Sequence, residues 1–149
     1  MTHQAFRIKP TPDCKSYFSV KIEENQRELE RTVKHLDLKV EGFDAVFVNN
    51  LSRKKEIGCL LFNQRNCSKN VIIHEVLHAT FAYFVRKRIP FRLGNYKKFE
   101  ELFATVFEYL LAQIYSKKTK RNREKRLFFA KLQFEAAWQL YKFPRKYLR

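Results

Sequence analysis

The chain has 149 residues, 45% of them hydrophobic, with only three Gly and four Pro; it reads as one domain with a buried core and not as a fibrous or loop-dominated chain. Its 31 Lys and Arg outnumber 15 Asp and Glu, for a net charge of +16, and residues 117–149 hold twelve of those cations against two Glu. That balance suits an acidic or phosphate-bearing partner, and no apolar run approaches the ~20 residues that cross a bilayer.

The first residues, Met1 to Arg7, lack a secretory apolar segment, and Cys14, Cys59 and Cys67 show no C-x-x-C spacing. Reduced thiols and a cytoplasmic setting are expected. Pro10 and Pro12 mark an irregular lead-in with a short strand at Phe6–Lys9, and Tyr17–Ile22 alternates in part. Residues 23–38 are rich in helix formers, with Glu23 and Glu24 early, Arg31 and Lys34 later, and Leu29, Val33 and Leu36 as apolar contacts. His35 lies in that helix as an ordinary histidine. After Gly42, Ala45–Val48 and Ile57–Phe62 are β-prone runs that form a hairpin or neighbouring strands.

Ser68 then caps a helix from Lys69 to Lys87, ended by Pro90 and Gly94, with Ile73, Val76, Leu77, Phe81, Phe84 and Val85 as its apolar stripe. Asn95 caps a second helix, Tyr96–Ser116, whose apolar residues Phe99, Leu102, Phe103, Val106, Phe107, Leu110, Leu111 and Ile114 recur at helical spacing. A basic linker precedes a last helix over residues 122–142, with Leu127, Ala130, Phe134, Ala137, Trp138 and Tyr141 facing inward. The fold class is therefore α+β: a small N-terminal sheet packed on a helical bundle, in a single domain with a basic C-terminal helix at about 117–149.

The chemistry lies in His74-Glu75-Val76-Leu77-His78, an H-E-x-x-H segment inside the first long helix. Residues i and i+4 share a helix face, so His74 and His78 can ligate one zinc ion, and Glu75 serves as general base toward water acidified by that ion. A third protein ligand is needed. The branch that takes a third histidine from H-E-x-x-H-x-x-G-x-x-H is excluded, because Phe81 and Phe84 occupy those places. Glu100, Glu101 and Glu108 of the following helix remain. Counting 100° per residue, Glu100 falls roughly 70° from the centre of that helix's stripe, Glu101 roughly 170° and Glu108 about 150°. Glu100 is therefore favoured. Tyr83 and Tyr96 are candidates for stabilising the oxyanion of an acyl-transfer reaction.

Residues from about 60 to 114 resemble the ImmA/IrrE-like group of small HEXXH metallopeptidases of phage and bacteria. The resemblance rests on Leu60-Leu61-Phe62-Asn63, on His74 to His78, and on Glu100 followed by Leu110-Leu111. It implies a gluzincin-like zinc peptidase with one Zn²⁺ per chain, acting on a protein or peptide substrate, in some members a regulatory protein. Glu101-x-x-Ala104 also matches that group's Glu-x-x-Ala spacing, which keeps Glu101 as the alternative third ligand. Ala79-Thr80-Phe81 departs from the small residue usual after the second histidine, and the basic C-terminal helix lies outside the resemblance.

The basic end supports a second reading: a non-catalytic binding protein on the same scaffold, attached to nucleic acid or an acidic protein through Lys118, Arg121, Arg123 and their neighbours. Phe128, Phe129 and Tyr141 could stack on bases, although helical spacing assigns most of these aromatics to the core.

Overall fold

The computed structural model describes residues 4–34, 45–50, 55–64, 67–89, 94, 96–118 and 127–135, with the side chains of Lys117 and Lys118 excepted. The architecture is α+β. Its elements are β1 (Gln4–Ile8), β2 (Tyr17–Glu23), α1 (Gln26–Lys34), β3 (Ala45–Asn49), β4 (Glu56–Asn63), α2 (Lys69–Arg86) and α3 (Tyr96–Lys118), with residues 127–135 also helical. The four strands form one sheet in the order β1-β2-β4-β3. β1 and β3 are antiparallel to their neighbours, while β2 and β4 are parallel, with Val20 opposite Leu60.

The parallel pair explains why β4 is apolar almost throughout. A strand covered on both faces has no solvent side to alternate toward. On one face Leu61, with Val46, Val48 and Cys59 around it, packs under Leu29 and Val33 of α1. On the other, Phe18, Val20, Ile22, Leu60 and Phe62 meet Ile72, Val76, Ala79 and Tyr83 of α2 and Leu102, Val106, Leu110 and Ile114 of α3.

Polar contacts fix the layers in register. Gln113 of α3 accepts from the Lys9 amide at 2.9 Å and donates to its carbonyl at 2.7 Å, as a strand neighbour would. Arg86, at the end of α2, donates to the Asn50 and Glu56 carbonyls at 2.8 and 3.0 Å, and so clamps the β3–β4 turn. Past Arg86 the helix closes with Ile89 N–H on the Phe84 carbonyl and Arg88 N–H on that of Val85, with Arg88 at φ 53°. This is a Schellman ending whose left-handed position holds Arg in place of the usual Gly.

Gly58 in β4 has no room for a side chain: a Cβ there would stand 2.6 Å from the Phe47 ring and from the Val48 carbonyl oxygen. Backbone cannot yield as a rotamer can, so Gly58→Ala is expected to destabilise the fold by about 1–3 kcal/mol. Chemical denaturation measures this, and unchanged or increased stability would contradict the close approach of β3.

One expectation about this half of the chain is corrected. The first helix begins at Gln26 and not at Glu23, because Asn25 accepts from the Glu28 amide and caps it. Glu23 instead ends β2, where it is buried and accepts from the Thr32 hydroxyl at 3.2 Å. His35, the Asn95 cap and the rest of the last helix lie outside the described residues. Cys14, Cys59 and Cys67 form no disulfide, and burial pushes the Cys59 thiol up to about 11, which makes it a poor thiolate donor. Among the described residues no helix is long and apolar enough to cross a membrane.

Candidate metal centre

Ser68 starts the helix that carries the motif, its side chain accepting from the Val71 amide at 3.3 Å. α2 then has apolar residues on nearly every side, so its rotation is decided by shape. The buried side consists of Ile72, Val76, Ala79, Ala82, Tyr83 and Phe84, with Thr80 buried among them. Ala79 and Ala82 are part of the main core, and Thr80 meets its hydrogen-bonding need on the Val76 carbonyl at 2.8 Å. Leu77, Phe81 and Val85 are exposed, which overturns the expected stripe through these residues.

This rotation turns His74 and His78 to solvent. Their Nε2 atoms stand 3.1 Å apart, with the rings edge to face. Glu75 lies at the margin of the buried side, its side chain 11% exposed against 67% for His74, with Oε1 3.9 Å from His74 Nε2. Glu75 is therefore buried although the two histidines flanking it in the motif are exposed.

The donor set fits a zinc ion in part. Two imidazole nitrogens at that separation can each bind one ion at 2.0–2.1 Å with an N–metal–N angle of roughly 100°, near the tetrahedral value. Without metal, the same pair is a hydrogen bond whose direction depends on the tautomer. A third ligand is not assembled: among the described residues no group of three His, Cys, Asp or Glu is placed to hold a metal ion.

The aromatic contacts show where the candidate glutamates sit. Phe84 lies 5.1 Å from Phe99, and Phe81 lies 4.8 Å from Phe103, so α3 runs back along α2. Glu100 then lies beyond Phe103 on the side away from His78, exposed and hydrogen-bonded by the Tyr96 hydroxyl. Glu101 is exposed too, and Glu108 accepts from Gln133 of the following helical stretch.

The two tyrosines separate cleanly. Tyr83 is fully buried on the side of α2 opposite the histidines, and burial pushes its hydroxyl far above the ordinary range. It cannot reach an oxyanion at the histidine pair, and leaves the set. Tyr96 is half exposed in the first turn of α3, its acidity lowered by its hydrogen bond to Glu100 and by that carboxylate's charge. Sequence reasoning missed Phe81 as a feature of the site. The signal was available: Phe81 is seven residues after His74 and three after His78, and therefore on their face. No protein-family model, no curated protein and no solved structure matches the chain.

Proposed function

We propose that the protein is a zinc-dependent peptidase in which His74 and His78 hold the metal and Glu75 is the general base. One observation carries the reading: two solvent-facing imidazoles with Nε2 atoms 3.1 Å apart, beside a carboxylate that is mostly withdrawn from water. The sequence resemblance to ImmA/IrrE-like peptidases points the same way. Zinc, when bound, supplies a polarised carbonyl and an acidified water. As general base, Glu75 would take the proton of the attacking water and return it to the leaving amine. Glu100, with Glu101 as the alternative, remains the proposed third ligand, and neither stands with the histidines in this structure. Cleavage of an unfolded protein substrate should stop with chelator and return with added zinc. Cleavage indifferent to chelator would contradict the proposal.

A second reading is favoured by the C-terminal helical stretch. Phe128 and Phe129, which stand outside the inward-facing set read from the sequence, are 59% and 56% exposed, while Phe134, a member of that set, is buried and packs toward Tyr109. Residues 117–126 hold seven Lys or Arg, and exposed rings next to such a run suit single-stranded nucleic acid. Arg121 and Arg123 and the side chain of Lys118 lie outside the described residues. The logarithm of the affinity for single-stranded DNA should fall linearly with log salt, by about 0.7 per phosphate neutralised, and joint charge reversal of Lys118, Arg121 and Arg123 should flatten the slope. Absence of binding at low salt would leave an acidic protein as the partner.

A further inference from the structure

The side of α2 that carries the histidines is otherwise apolar. His74, Leu77, His78, Phe81 and Val85 are all exposed, and they stand at i, i+3, i+4, i+7 and i+11, which is one face of a helix. Phe81 is 59% exposed, about one turn from His78. Its ring does not hang free: it packs 4.8 Å from Phe103, which in turn lies 5.2 Å from Phe84 and is stacked on Phe99. The result is an aromatic surface on the same helix face as the histidine pair. Solvent-exposed apolar area of this kind does nothing for the fold; it gains only when something covers it.

Charge says what covers it. Lys87 and Arg88 follow the end of α2, and Lys97 and Lys98 stand in the first turn of α3, on elements that meet through the Phe84–Phe99 contact. Glu100 and Glu101 oppose them there, so the cations keep the majority, and the Tyr96 hydroxyl already engages Glu100. A second copy of a chain with net charge +16 is repelled from such a face, whereas an acidic segment is drawn to it.

We infer that, given a peptidase centre at His74 and His78, this stripe is its substrate-recognition surface, and that it takes an acidic peptide segment laying a large apolar side chain against Phe81 and Leu77. Phe81 is then the specificity-determining residue. It reads the side chain next to the bond that is cut, and Lys87, Arg88, Lys97 and Lys98 read the acidic residues beyond it.

The test is binding to the Glu75→Gln protein with zinc present, which holds peptides without cutting them. Three labelled peptides of equal length serve as probes: an acidic one with a central Phe, the same with Ser in place of Phe, and one with Lys in place of the acids. Fluorescence anisotropy should rank the first tightest, with the Ser peptide weaker by roughly tenfold or more. Adding Phe81→Ser to the protein should erase that difference, and Phe81→Leu should restore most of it. Equal binding of all three peptides overturns the inference, as does a preference that survives Phe81→Ser. So does dimerisation of the wild-type chain that Phe81→Ser abolishes, since the occupant is then a second copy. Turnover by the wild type separates this inference from the reading it rests on. A Phe preference in binding without any turnover keeps the surface and removes the peptidase. Turnover of all three peptides alike keeps the peptidase and removes the surface.

Discussion

Glu75→Gln is expected to lower peptide hydrolysis by about 10²–10⁴-fold, the contribution of a positioned general base. Gln has nearly the same shape, so it fills the same mostly buried position on α2, but it cannot accept a proton from water. Because Glu75 is not counted among the ligands, the variant should keep its metal, and its melting temperature should stay near that of the wild type. Turnover, metal content and a thermal melt on one preparation check all three. Activity within a few-fold of wild type would remove Glu75 from the chemistry even if the metal were present.

His74→Ala and His78→Ala should each abolish metal retention. Both histidines are exposed, so the metal-free fold should change by no more than about 0.5 kcal/mol, as for ordinary surface substitutions. The contrast lies in the response to zinc. At a hundredfold excess over its dissociation constant, a ligand that binds only the folded state stabilises it by about 2.7 kcal/mol. Wild-type protein should therefore melt higher when zinc is added, and neither alanine variant should respond. A response of equal size in all three proteins would place the metal elsewhere.

Much of this architecture was open to reading in the residues. The i, i+4 spacing of His74 and His78 brought the two rings together, Ser68 capped the helix as its side chain requires, and α2 and α3 start where their periodicities begin. β3 and β4 pair as the two β-prone runs suggested. What periodicity could not provide was the rotation of α2. Leu77, Phe81 and Val85 are as apolar as Ile72, Val76 and Tyr83, so apolarity alone does not choose between the two sides. From that choice follow the burial of Glu75, the loss of Tyr83 as a candidate and the exposure of Phe81. The pairing of β2 with β4 was equally hidden, because it joins strands across α1 and no local signal encodes it. A third ligand is a question of how two helices pack, and the antiparallel run of Phe84–Phe99 and Phe81–Phe103 sets Glu100 apart from the histidines in a way no angular count on a single helix reveals. At the other end of the chain, Phe128 and Phe129 share a short helical stretch with the buried Phe134, so one composition serves both core and surface.

The most direct test is the metal content of the purified wild-type chain, measured by elemental analysis after exposure to zinc and exhaustive dialysis. About one zinc per chain is expected, held by His74 and His78 with one further ligand. Protein that emerges with no bound transition metal would contradict the metal centre, and with it the peptidase.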